Sequence, residues 1–350
     1  MISTATTLVI LTRKIRAHNA SDHGMRYYNY LDQKIHWLTI LLLPLSFLFL
    51  LLSISRKLFY SFGLFKKVRL EVPVIVVGNI TAGGAGKSPL VMELAIQLSA
   101  KGYKPGIISR GYGGNVHEPE LVTETSDPAQ VGDEPLMLAR SNCCPVVVCR
   151  DRALAGQMLI TKCGCNLIIS DDGLQHYRLV RDIEICVVDS QRKFGNGFLI
   201  PSGPLRETKR RLGTTDFVIV NGNSNEIIDK RQFNMQLDIV AIISLDGTTT
   251  RSLNDFKNER VNAVAGIANP DRFFKMLNSH HINTINHSFA DHHAYQQTDF
   301  EFNQVLPVLM TQKDAVKCEK LRLNQAWVVE VRPALQENFI ADIVTMLSSK

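Results

Sequence analysis

The sequence predicts an α/β protein: a parallel-sheet domain, a second and smaller α/β domain, and an N-terminal membrane helix. Three observations carry that expectation. Short β-branched runs recur from about residue 65 onward, with stretches of helical spacing between them. A glycine-rich turn at residues 78–89 separates one such run from one such stretch. Upstream, Trp37 to Ser55 carries no charge.

The 350 residues, 45% hydrophobic and 21% charged, have room for one large domain or two ordinary ones. The net charge of +6 comes from basic residues scattered along the chain. No basic stripe interleaved with aromatics is present, so no nucleic-acid partner is expected. An anionic lipid surface or an anionic substrate is the better use of the excess. The 7 cysteines include Cys143-Cys144 and Cys163-x-Cys165, neither spaced like the paired arms of a zinc site. They read as reduced thiols filling core space, with no metal cage among them.

Residues 1–24 read as an extension and residues 25–64 as a membrane-associated helical region. The run WLTILLLPLSFLFLLLSIS is just long enough to cross a bilayer core. Arg56, Lys57, Lys66, Lys67 and Arg69 follow it, against Arg26 and Lys34 before it. That balance favours a cytoplasmic placement for what comes next. Pro44 would kink a spanning helix without forbidding it, and an in-plane helix or a buried hairpin satisfies the same composition.

Pro73 to Val77 is a short apolar run suited to a buried parallel strand. It runs into Gly78-Asn79-Ile80-Thr81-Ala82-Gly83-Gly84-Ala85-Gly86-Lys87-Ser88-Pro89, and a helix follows in which Leu90, Leu94 and Leu98 share a face. Strand, glycine turn and helix in this order form a P-loop NTPase-like phosphate grip, with backbone N–H groups from Thr81 to Ser88 around an anion. Lys87 can reach the β- and γ-phosphates of ATP, and the Ser88 hydroxyl can hold Mg2+. Pro89 fits the first helical turn, where its missing N–H costs nothing. Thr81 stands where the usual pattern has its first glycine.

A second apolar run, Leu167 to Ser170, ends in Asp171-Asp172, where a Mg2+-holding carboxylate belongs. Strand alternation alone keeps both side chains from pointing at one ion, but where the strand turns into a loop one could bind through water while the other orients it. Asp133 and Glu134, opening an apolar helix, are by spacing alone ordinary first-turn acids. Arg206, on the loop Pro201 to Glu207, suits a developing phosphoryl charge. Asp291-His292-His293 reads as a metal pair, a proton-handling element, or neither.

Taken together these motifs resemble the tetraacyldisaccharide 4'-kinases, the lipid A 4'-kinases of Gram-negative bacteria. The resemblance rests on VGNITAGGAGKSP, SRGYGG at 109–114, VGDEP at 131–135, DDGLQH at 171–176, PSGPLRE at 201–207, AGIANPDRFF at 265–274, DHHAY at 291–295 and TQKDAVKC at 311–318. It implies ATP as phosphate donor and the 4'-hydroxyl of a lipid disaccharide 1-phosphate as acceptor, giving lipid IVA at the cytoplasmic face of the inner membrane. It makes Thr81 a family trait. It also implies that Lys87 and Ser88 serve phosphate and Mg2+, that Asp171 and Asp172 belong to the metal site, and that Asp133 with His292 accepts the sugar proton. Arg206 would steady the γ-phosphate, with Glu134 and Glu207 as supporting acids around the ion.

The kinase domain is expected over 65–223, a linker over 224–238 and a C-terminal α/β domain over 239–350. Apolar runs at 239–243, 261–265, 305–310 and 326–331 read as strands of that second domain. A rival class comes from Thr311-Gln312-Lys313-Asp314, which approximates a guanine-recognition signal off by one residue and would suit a membrane-associated GTPase switch. A strict requirement for GTP, and hydrolysis without a lipid acceptor, would favour the switch.

Overall fold

The computed structural model describes residues 35, 37–112, 114, 116–222 and 226–349. The extension before Met25, and Arg26 and Lys34, lie outside the described residues. Helix α1 (Trp37–Ser61) leads into a first lobe. It is built from β1 (Val74–Gly78), α2 (Lys87–Ala100), β2 (Pro105–Ser109), β3 (Glu120–Val122), α3 (Pro128–Val131), α4 (Asp133–Arg140), β4 (Val146–Val148), α5 (Arg152–Cys163), β5 (Leu167–Ser170), β6 (Ile183–Asp189) and β7 (Phe217–Asn221). The rest of the chain adds β8 (Gln232–Ser244), β9 (Thr250–Arg251), β10 (Arg260–Ala265), α6 (Pro270–Ser279), β11 (Asn283–Ser288), β12 (Val308–Thr311), α7 (Gln312–Cys318), β13 (Ala326–Leu335) and α8 (Glu337–Ser348).

These strands join one sheet in the order β11-β10-β12-β13-β8-β7-β6-β1-β5-β2-β4-β3, with β9 beside β8. Strand β1 is buried along its whole length and lies parallel between β5 and β6. Only an unbroken apolar run can occupy a strand covered on both faces. One face of this lobe packs Leu90, Leu94 and Leu98 of α2; the other packs Ala155 and Leu159 of α5. Two parallel blocks meet where β13 runs antiparallel to β8. The carboxyl ends of the parallel strands in both blocks therefore carry the loops that form the site.

Three features differ from the sequence expectation. The linker stretch 224–238 becomes strand from Gln232 onward, because β8 pairs with β7 through Gln232 to Met235 and then with β13. Its polar residues alternate: Met235 is buried while Asn234 and Gln236 face water, a period of two that one solvated face allows. The apolar run at 305–310 starts its strand only at Val308; Val305 is exposed and Pro307 has no N–H for a ladder. Finally, α8 crosses back to the first lobe, where Phe339, Ile340, Ile343 and Leu347 enter its core. The Phe339 ring meets Phe217 edge-on at 5.3 Å.

Candidate active site

The glycine turn leaves the carboxyl end of β1 and enters α2 at Gly86, whose φ of 86° is left-handed. A Cβ there would come within 2.1 Å of Asn221 Nδ2, at the end of β7. That amide donates to Ala85 O at 2.9 Å, so β7 braces the turn from behind. Asn79 braces it from within, donating to Gly83 O at 3.1 Å and accepting from Lys87 Nζ at 3.3 Å. Thr81 is turned into a bridge with Leu205, and Ala82 N donates to Pro204 O at 2.7 Å. The position that lacks its usual glycine thus ties the phosphate turn to the loop carrying Arg206.

Arg206 and Lys87 converge on Asp172. Arg206 Nη1 lies 3.0 and 3.1 Å from the two carboxylate oxygens, and Lys87 Nζ lies 3.5 Å from one of them. Burial alone would raise the Asp172 pKa, but Lys87 and then Arg206 outweigh it and hold the carboxyl well below its usual range. Its neighbour behaves oppositely. Burial, and next the charge of Glu134, push the Asp171 carboxyl up. Its Oδ1 is buried without a hydrogen-bond partner. Behind both, buried Arg152 donates to Ser170 Oγ and to Asp172 O, each at 2.8 Å, fixing the turn in which Asp172 has a φ of 48°. An unpartnered buried carboxylate oxygen beside a second acid is what a cation would satisfy. No cluster of three or more His, Cys, Asp or Glu suited to a metal occurs among the described residues. A cation here would therefore draw further ligands from a hydroxyl such as Ser88 and from phosphate.

The opposite wall comes from the second lobe, the block β10 to β13 with α6 and α7, together with Glu134 of α4. Leaving β11, the chain places His292 with a φ of 61°, and its Nδ1 lies 3.1 Å from Asp133 Oδ2 at the start of α4. With Nδ1–H donated to the carboxylate, Nε2, 3.9 Å from Asp291 Oδ2, is the ring atom left for a substrate hydroxyl. His293 points elsewhere: its Nε2 lies 2.9 Å from Asp299 and its ring packs on Phe289. Lys313, at the start of α7, donates to Glu134 at 2.9 Å and to Asp291 at 3.0 Å. Burial would lower its pKa, but Glu134 and then Asp291 outweigh burial and raise it.

One cavity of about 610 Å³ joins these groups. Ala82 to Pro89, Asp172 and Arg206 line one side, and Glu134, Asp291, His292 and Lys313 the other. Asp133 stands behind His292, and Asp171 behind the turn. Glu207 is not brought to the cavity: its carboxylate accepts from Gln175 and Tyr177 and lies 3.4 Å from Arg211, because the chain turns away after Arg206. Asp314 is fully buried, accepting from Gly266 N, Tyr295 and Thr311, so the guanine-like signal holds a structural acid. Sequence reasoning missed Lys313, Arg272 and Asn221. Arg272 of α6 reaches across to Asp189 at 3.2 Å and to Asn221. Its only sequence signal was a place in AGIANPDRFF.

The family model for tetraacyldisaccharide-1-P 4'-kinase matches residues 38–348. A tetraacyldisaccharide 4'-kinase from Nitrosococcus oceani is 44% identical over 92% of this chain and 94% of its own length. One from Stenotrophomonas maltophilia is 47% identical, over 89% of this chain and 93% of its own. Among solved structures, the "apo" form of LpxK from Aquifex aeolicus in complex with ATP superposes with a TM-score of 0.75 at 27% identity, covering 89% of this chain and 99% of that one. This chain belongs to the tetraacyldisaccharide-1-P 4'-kinase family.

Proposed function

We propose that the protein transfers the γ-phosphate of ATP to the 4'-hydroxyl of a tetraacyldisaccharide 1-phosphate, forming lipid IVA. The observation that carries this reading is the pairing, across one cavity, of a phosphate cradle on the first lobe with His292 on the second. Phosphoryl transfer depends on positioning and on stabilising equatorial charge. The turn from Thr81 to Ser88 holds the phosphates through backbone N–H groups, and Lys87 reaches toward the β- and γ-phosphates. Arg206, held against Asp172, would stabilise the charge of the transferred group. His292 takes the hydroxyl proton at Nε2 while Asp133 fixes the tautomer and balances the imidazolium. Ser88, Asp171 and Asp172 are the residues that would hold Mg2+, with Glu134 beside them. When bound, Mg2+ would neutralise phosphate charge.

The acceptor is lipid-borne, and α1 supports attachment to the membrane. It is a helix of 25 residues with a mean hydropathy of 2.4 in its most apolar window. Ile40, Leu41, Phe47, Leu48, Leu51 and Leu52 are exposed on it. Thr39 and Ser46, two turns apart on one face, are buried, and Ser46 meets the body. Ser46 Oγ donates to Leu199 O at 2.8 Å and accepts from Ser202 N at 2.9 Å. A contact with the soluble body near mid-helix favours an in-plane helix whose apolar faces enter the lipid, over one that spans the bilayer. This keeps the Arg206 loop at the inner-membrane surface, on its cytoplasmic face.

Incubation with Mg-ATP and a disaccharide 1-phosphate lipid tests the reading. A 4'-phosphorylated product, lost in Asp133→Ala, is expected; no product from the parent enzyme would sink it. A strict requirement for GTP, with hydrolysis in the absence of lipid, would favour a nucleotide switch instead.

A further inference from the structure

We infer that Lys313 is a positioning residue that assembles the proton-accepting pair across the two lobes; this rests on the reading of Asp133 and His292 given above. Asp133 and His292 lie 159 residues apart in sequence and come from different lobes. Neither is held by its own element alone. Gly132, with a φ of 94°, offers no side chain to cap α4, and His292 sits in left-handed backbone, uncommon for a residue other than glycine.

Lys313 touches the sequence neighbour of each partner. Its ammonium donates to Glu134 Oε1 at 2.9 Å, next to Asp133, and to Asp291 Oδ1 at 3.0 Å, next to His292. Asp291 Oδ1 also accepts from the backbone N–H of His292 at 3.1 Å, so the lysine reaches the histidine's own backbone through one shared oxygen. The lysine side chain is 13% exposed, which makes the contacts largely screened from water. Without the cation, Glu134 and Asp291 face one another as uncompensated acids at the lobe junction, and their repulsion separates the loops that carry Asp133 and His292. The distance across the pair is then no longer set. Charge-assisted contacts at two fixed carboxylates, from one residue rooted by α7, do what neither α4 nor the β11 loop does alone.

The test measures kcat and the KM values for ATP and lipid in Lys313→Met, Lys313→Arg, His292→Ala and the double variant Lys313→Met with His292→Ala. Lys313→Met is expected to lose up to about 100-fold in kcat with the KM for ATP unchanged, the scale of a misplacement near 1 Å. Lys313→Arg, which keeps the charge and can still fork to both acids, is expected to recover most of that loss. The double variant is expected to fall no further than His292→Ala, since a device acting through the histidine has nothing to position once it is gone. Multiplicative losses in the double variant would overturn the inference. So would a Lys313→Met defect confined to the KM for ATP or to the Mg2+ requirement, which would put the lysine's effect in Glu134 alone. A His292→Ala enzyme with parental kcat would overturn the proton-acceptor reading itself, and this inference with it. If Lys313→Met does not fold, the inference is overturned by parental kcat in a folded His292→Ala, or by a Lys313→Arg that melts normally yet shows no recovery over His292→Ala.

Discussion

Substituting Gly86 by alanine isolates how the phosphate turn is held. The new Cβ meets two costs. Left-handed backbone at φ 86° costs an alanine about 1–2 kcal/mol relative to glycine. The same Cβ would also lie 2.1 Å from Asn221 Nδ2 and 3.1 Å from its Cγ. Asn221 is fully buried and held at both ends, by Ala85 O and by Arg272, so it cannot swing aside without leaving buried groups unpaired. Each abandoned bond costs about 1–3 kcal/mol. Together the expected loss is about 3–8 kcal/mol, or roughly 6–16 °C in Tm at about 2 °C per kcal/mol for a chain of this size. Thermal unfolding with and without Mg-ATP reads both consequences. The parent should gain about 2.7 kcal/mol at a hundredfold excess of nucleotide over Kd. Gly86→Ala should melt earlier and gain little. Adding Asn221→Ala should cost less than the sum of the singles, because the clash disappears while the backbone strain remains. Gly86→Ala melting within about a degree of the parent and keeping the full ATP shift would refute the argument that β7 braces the turn.

Three further outcomes follow from the same geometry. Lys87→Ala should lower single-turnover rates by about 10³-fold or more, exceeding His292→Ala at about 10²-fold, since charge stabilisation outweighs proton transfer in a loose transition state; the reverse order in single-turnover measurements contradicts the assigned roles. Ser46→Ala leaves Ser202 N without its partner, while Leu199 O keeps its bond from Gly203 N, and should cost about 1–3 kcal/mol in detergent melts, with release of α1 from the Arg206 loop; an unchanged melt would show that the contact does not hold the helix. His176 gives a pH signature: burial first, then Arg152 and Arg181, lower its pKa to about 4. Above its unfolded pKa near 6.5 both states are neutral, and below it the unfolded chain takes up the proton first. Stability should therefore fall as pH drops from about 6.5 toward 4, and less so in His176→Gln; identical pH–Tm curves for the two proteins would rule this out.

Local sequence determined the parts whose physics is local. An apolar β-branched run, a glycine turn and an amphipathic stretch specify strand, anion cradle and helix within about thirty residues, so the expectation for Lys87 and Ser88 needed no tertiary contact. The charge-free run before residue 56 likewise announced α1. Where α1 meets the rest of the protein, however, had to be read from Ser46 meeting a loop 153 residues away. Glu207 sits one residue after Arg206, yet the turn of the chain sends the arginine into the cavity and the glutamate to Tyr177 and Arg211. Adjacency in sequence says nothing about which side chain faces a site once the strand ends. Asp171 and Asp172 are chemically identical, and only their surroundings separate them: Lys87 and Arg206 oppose burial for one, while Glu134 adds to it for the other. The polar stretch at 232–238 hid a strand because its pairing partners, β7 and β13, lie on opposite sides of it in sequence. Sequence thus determined the chemistry carried by each element. The sheet, by bringing two lobes to one edge, decided that His292 rather than His293 meets Asp133, and that Lys313 lies between Glu134 and Asp291, because long-range pairing and burial exist only in the folded chain.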